Sequence, residues 1–186
     1  YGHDIFDDVV TSTEFLELFS DPEGFHRPSD WKVPSKVNFI QCVGSRDSHK
    51  GNYHCSMVCC GFSTGWGAAI RRKYPDTEVY IHYIDLRGTY HGYERLLGDA
   101  RELGVAFMKG RGGYVEMDEN GLFVRAEDID MGGPVSVASD LVVLAVGQET
   151  SPSARELAAM FDVPLDEDGF LIDNPPGGDE GREDVF

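Results

Sequence analysis

The chain has 186 residues, 41% of them hydrophobic, with 22 glycines. That is enough for one domain with a core, and too apolar for a disordered chain. No run approaches the ~20 consecutive apolar residues of a membrane span, so no membrane insertion is expected. Sixteen basic against 33 acidic side chains leave a formal charge of −17, which argues against nucleic acid and anionic lipid as partners.

The chain begins at Tyr1 without an apolar h-region, so no signal peptide and a cytoplasmic location are expected. It reads as a piece of a longer polypeptide. Residues 1–35 predict one helix and a linker. Ser12 or Thr13 can cap it, and Phe15, Leu16, Leu18 and Phe19 follow before Asp21-Pro22-Glu23-Gly24 breaks it. Residues 36–44 predict a short strand ending in a glycine turn, and 45–54 a polar loop. Residues 61–74 predict a helix whose small residues Gly65, Gly67, Ala68 and Ala69 permit close packing on a sheet. Residues 78–85, rich in β-branched and aromatic side chains, predict a second strand, and 91–103 an amphipathic helix stopped by Gly104. A third strand is expected at 105–110. Residues 113–117, 121–128 and 135–138 then predict a small antiparallel meander, with Asn120-Gly121 as a hairpin signal. The apolar run 140–147 predicts a buried parallel strand. A short helix near 154–161 and an acidic loop follow, loose from Asn174 onward.

This order predicts an α/β fold, a doubly wound Rossmann-like sheet with a small antiparallel meander. The expected division is residues 1–35 as helix and linker, 36–150 as the Rossmann-like domain, and 151–186 as an acidic return segment.

All four cysteines, Cys42, Cys55, Cys59 and Cys60, fall in the window 42–60 with spacing C-x12-C-x3-C-C. A sizeable core does not need disulfide staples, and a bridge between Cys59 and Cys60 closes a strained ring. Four thiolates in one loop suit a metal centre, either tetrahedral zinc or an iron–sulfur cluster. Adjacent cysteines diverge, which fits two corners of a bulky cluster better than two ligands of one small ion. Inert or redox thiols remain the third possibility. In a dinucleotide-binding domain the strand–helix junction carries G-x-G-x-x-G, and here the cysteines stand in its place. The position still suits anions, because a helix N-terminus stabilises negative charge.

These residues resemble a known family. Val9-Val10-Thr11-Ser12-Thr13-Glu14-Phe15, Phe39-Ile40-Gln41-Cys42-Val43-Gly44-Ser45-Arg46-Asp47, Tyr53-His54-Cys55-Ser56-Met57-Val58-Cys59-Cys60, Tyr83-Ile84-Asp85-Leu86-Arg87 and the run 140–147 are similar to the central part of the A-type subunit of heterodisulfide reductase. They also resemble the flavin subunits of the quinone-interacting membrane-bound oxidoreductase complex. The resemblance implies a thioredoxin-reductase-like flavoprotein with a nucleotide-domain look-alike inserted in it. It implies Cys42, Cys55, Cys59 and Cys60 as ligands of a [4Fe–4S] cluster that exchanges electrons with FAD. It further implies other subunits of such a complex as partners. FAD is expected in the full-length protein and not on this stretch, which lacks the family's flavin phosphate loop. Two departures stand out. Met57 occupies a position usually held by arginine, and His91-Gly92-Tyr93 replaces a glycine–lysine–glycine–tyrosine run.

Arg46 and Asp47 read either as a turn with a surface ion pair or as support for the cysteine loop. His49 and His54 read as loop histidines rather than ligands, and Phe62 and Trp66 as core. Asp85 sits where a nucleotide domain keeps a ribose-binding acid. Two further functions remain open from the residues: a structural zinc or subunit-docking module, and a degenerate NAD(P)-binding domain.

Overall fold

The computed structural model describes residues 1–50 and 52–172. Its elements are β1 (Val9–Thr11), α1 (Ser12–Ser20), β2 (Lys36–Val43), α2 (Cys59–Lys73), β3 (Glu78–Tyr83), α3 (Tyr93–Glu102), β4 (Ala106–Lys109), β5 (Gly112–Asp118), β6 (Gly121–Asp128), β7 (Gly133–Ser139), β8 (Leu141–Val146) and α4 (Pro152–Met160). The chain forms two compact units, Tyr1–Gly147 and a second from Gln148 onward. The segment expected to be loose from Asn174 lies outside the described residues.

In the first unit five parallel strands run in the order β1-β8-β2-β3-β4, and β5-β6-β7 form a separate antiparallel sheet. This is the Rossmann-like sheet with its meander that the sequence predicts. The central strands are apolar on both faces because both are covered. One face carries the helices: Phe39, Val79, Ile81, Leu141 and Val143 meet Phe15 of α1 and Ala68 and Ile70 of α2. The other carries the meander: Val9, Ile40, Val142 and Leu144 meet Val115, Leu122 and Val124.

At the N-terminal end, β1 and the start of α1 differ from the sequence reading. β1 has no counterpart in it, since three residues carry too little pattern to be a strand alone. It exists by pairing Val9, Val10 and Thr11 with Val142, Val143 and Leu144. The cap of α1 is therefore Thr11. Its hydroxyl accepts from Glu14 N (3.3 Å), while the Glu14 carboxylate accepts from Thr11 N (2.7 Å), a reciprocal capping box.

Between the main sheet and the meander lies a buried polar chain. Asn38 Oδ1 lies 2.9 Å from His82 Nε2, and Asn38 Nδ2 donates to the Ala138 carbonyl (3.2 Å) and Ser139 Oγ (3.1 Å). Burial pushes the His82 imidazole down to about 4, only partly opposed by the charge of Asp128. The folded state thus holds His82 neutral while the unfolded chain takes up a proton near 6.5. The resulting stability is full above that pH and is lost as pH falls from 6.5 toward 4. The loss reaches up to about 3 kcal/mol. Chemical denaturation at pH 7 and pH 4.5 should show this decline in the unsubstituted protein and a smaller one in His82→Gln.

In the second unit, Ser151 caps α4 through Ala154 N (3.2 Å) and Pro152 opens its first turn. A tight turn follows, in which Asp166 Oδ1 accepts from Phe170 N (2.8 Å) and Gly169 takes a left-handed conformation. Among the described residues no helix is long and apolar enough to cross a membrane.

Candidate metal centre

The cysteines stand at the carboxyl edge of the parallel sheet, where open α/β sheets place their ligands. Cys42 lies near the end of β2, Cys55 on the connecting loop, and Cys59 and Cys60 in the first turn of α2. The helix starts two residues earlier than its composition predicts, and this brings both adjacent cysteines into its positive end. Val58 caps it without a side-chain bond. A sequence search for Ser, Thr, Asp or Asn could not find such a start.

A bulge shapes the approach of β2. Its register against β8 shifts between Ile40 and Val43, and Cys42 has φ 60°, in the left-handed region. Neighbouring residues of a regular strand face opposite sides. Here Gln41 reaches Cys60 and Cys42 reaches Cys59, so consecutive strand residues meet consecutive helix residues. A bulge re-aims side chains in this way. Arg46 and Met57 also have positive φ, so three of the non-glycine residues in this conformation lie around the cysteines. Each costs roughly 1–2 kcal/mol, and such strain concentrates at functional sites.

Cys42, Cys59 and Cys60 are buried together with Tyr93, Leu97 and Ala145. Gly88 lies so close to the Tyr93 ring that a β-carbon there would have no room. Cys42 Sγ and Cys59 Sγ are 4.0 Å apart. Cys59 also accepts from Ser56 Oγ (3.7 Å). Cys60 Sγ lies 3.4 Å from Gln41 Oε1 and 3.5 Å from the Asp85 carbonyl, and accepts from Arg87 N (3.3 Å). Cys55 is half-buried, and its sulfur accepts from Met57 N (3.4 Å). All four thiols are free.

Electrostatics single out Cys59. Hydrogen bonds from Cys42 and then Cys60 pull its thiol well below the usual range against the opposing effect of burial. The same contacts, together with burial, push Cys42 and Cys60 up. Three neighbouring thiols cannot all ionise in a dry site, and the negative charge settles at the helix N-terminus. The Arg46 guanidinium adds positive charge near Cys42 and Cys55.

The loop is held from several sides. Arg46 pairs with Asp85 (2.7 Å) rather than with its neighbour Asp47. Asp47 instead pairs with Arg111 (3.3 Å), which also donates to the Arg46 carbonyl (3.0 Å). Asn52 donates to the Gly44 carbonyl (2.9 Å). Nothing in the sequence marks Arg111 for this role, because its partners lie more than sixty positions away. Phe62 and Trp66 pack on the core as expected, and His49 is exposed.

Three of the four predicted ligands thus share one buried group, while Cys55, on the connecting loop, is only half-buried. Among the described residues, no three His, Cys, Asp or Glu side chains converge tightly enough to hold one metal ion. The donor chemistry nevertheless suits a sulfur-bound group: a depressed thiolate, a helix N-terminus, a nearby guanidinium and backbone N–H donors to two of the sulfurs.

No protein-family model matches the chain. It is 40% identical over 183 residues to the iron-sulfur A-type subunit of CoB–CoM heterodisulfide reductase from Methanocaldococcus jannaschii, covering 95% of this chain and 28% of that protein. It is 37% identical over 183 residues to the A-type subunit of the H(2)/formate:CoB-CoM heterodisulfide,ferredoxin reductase from Methanococcus maripaludis, with the same shares covered. Among solved structures, L-lysine 6-monooxygenase from Pseudomonas syringae shares the fold with a TM-score of 0.52 at 12% identity, over 90% of this chain and 46% of that one. Along 95% of its length the chain is thus homologous to the family of heterodisulfide reductase A-type subunits, and it spans 28% of the length of these curated relatives.

Proposed function

We propose that this stretch is the cluster-bearing part of an FAD- and iron–sulfur-dependent oxidoreductase. Cys42, Cys55, Cys59 and Cys60 would hold a [4Fe–4S] centre. It would connect an FAD bound elsewhere in the full-length protein with partner subunits of a heterodisulfide-reductase-like complex. Residues 1–35 and 151–186 would then lead from and back to the flavin-binding half. The observation that supports this most is the shared burial of three sulfurs at the first turn of α2, with Cys42 Sγ 4.0 Å from Cys59 Sγ. The M. jannaschii relative bears the name of an iron-sulfur protein, which agrees with it.

When bound, such a cluster supplies one-electron storage. The chain's own residues supply the setting. The N-terminus of α2 and Arg46 offset negative charge on the sulfurs. Met57 N and Arg87 N donate to the Cys55 and Cys60 sulfurs. Tyr93, Leu97 and Ala145 keep water from the buried side. No acid or base is required of the protein.

A second reading has one observation behind it. The 4.0 Å between Cys42 and Cys59 is close to the ~3.8 Å edge of a sulfur tetrahedron around zinc, for a Zn–S bond of about 2.3 Å. Oxygen-free incubation of the metal-free protein with iron and sulfide, and in parallel with zinc, separates the two. Electron transfer predicts a broad visible absorbance that bleaches with reductant. Uptake of zinc alone, with no such absorbance, favours the structural role.

A further inference from the structure

Gln41 is a polar side chain in the buried part of β2, only 1% exposed, and unlike Asn38 in the same strand its amide N–H is not satisfied. Its Oε1 lies against Cys60 Sγ, but its Nε2 is buried without a hydrogen-bond partner. An orphaned buried amide N–H costs about 1–3 kcal/mol, so an apolar side chain of the same shape would serve the metal-free fold equally well or better. The bulge at 40–43 turns this amide toward the helix end rather than leaving it between strands.

The contact pattern accounts for the orphan. As a thiol, Cys60 has a single proton, and Gln41 Oε1 is one of the acceptors within its reach, beside the Asp85 carbonyl and the Cys59 sulfur. As a metal-bound thiolate, Cys60 has no proton to give and can only accept. A half-turn of the Gln41 carboxamide exchanges Oε1 for Nε2, which satisfies the stranded N–H and offers a donor to the sulfur anion. Arg87 N already donates to the same sulfur from the other side (3.3 Å). We propose that Gln41 is a positioning residue whose side-chain amide donates to the Cys60 sulfur when that sulfur is a metal ligand, so that the bulge in β2 serves ligand capture as well as the placement of Cys42. This rests on the sulfur-ligation part of the function proposed above. It does not depend on which metal group the sulfurs hold.

The test measures cadmium affinity by the sulfur-to-metal absorbance of the protein, alongside thermal unfolding with and without cadmium. Partners of ligating groups change metal affinity by about 10–100-fold, so Gln41→Met should weaken cadmium binding roughly tenfold or more. The same variant should leave the metal-free melting temperature unchanged or higher, an outcome a purely structural role would not give. Gln41→Glu, which keeps an acceptor but loses both N–H donors, should weaken binding at least as much. Affinities within twofold of the unsubstituted protein in both variants would overturn the proposal, as would absence of any Cys60-dependent cadmium binding. Cadmium binding that weakens as described, in a protein that takes up no iron and sulfide, would uphold the role of Gln41 and remove the electron-transfer function instead.

Discussion

Cys59→Ser should abolish stable metal binding, with apparent affinity falling by more than roughly a hundredfold. Cys59 is where the site's negative charge collects. It is 4.0 Å from Cys42, accepts from Ser56, and stands in the first turn of α2. An alcohol at this position does not ionise near neutral pH, so it forfeits both the anionic ligand and the attraction of the helix N-terminus. Loss of a partner that merely supports a ligand costs about 10–100-fold, and loss of the ligand itself should exceed that. Ser63→Ala is the control. Ser63 lies on the same helix and is fully buried, and its hydroxyl has no hydrogen-bond partner, so its removal should change neither fold nor binding. Titration with a thiophilic metal reads both variants. Equal affinity of Cys59→Ser and the unsubstituted protein would remove Cys59 from the ligand set.

The largest effect on stability should come from Phe15→Ala. Phe15 is fully buried, with ring centroids 5.7 Å from Phe19, 5.7 Å from Phe25, 5.5 Å from Phe39, 6.0 Å from Phe62 and 5.9 Å from Trp66. Several of these pairs are edge-to-face, the arrangement that adds to simple burial. Truncation leaves a cavity that the rigid sheet beneath cannot close, at a cost of about 3–5 kcal/mol. That is a large part of the roughly 5–15 kcal/mol that holds a domain together. The melting temperature should fall by about 10 °C, read by circular dichroism. A change below about 1 kcal/mol would mean that α1 does not depend on this contact. Phe15 also ties the segment before residue 36 to the sheet face under α2, so its loss should loosen the helix that carries Cys59 and Cys60.

Most of the fold is legible because its signals are local. The runs at 78–85 and 140–147 are β-branched and apolar, and they form β3 and β8. Asn120-Gly121 places the first hairpin of the meander, with Asp118 opposite Gly121. What the sequence does not reveal depends on partners far along the chain. β1 is a strand only beside β8. The bulge at 40–43 exists only relative to that same neighbour, so nothing in Gln41-Cys42 alone announces that both side chains serve one helix end. The cysteine spacing points to a shared group, and three of the sulfurs do lie together. It does not show that Cys55 is less buried than the other three, that Arg46 turns to Asp85, or that Arg111 braces the loop. The start of α2 escapes a sequence reading because Val58 carries no capping signal, although the chemistry turns on which residues fall in that first turn.

Whether the four sulfurs hold an inorganic redox centre is decided by measuring iron, acid-labile sulfide and zinc in protein isolated from iron-replete cells without exposure to oxygen. The expected result is iron and sulfide in equal molar amounts, lost together in Cys59→Ser. Stoichiometric zinc without sulfide, or four cysteines free of any metal under those conditions, would contradict such a centre.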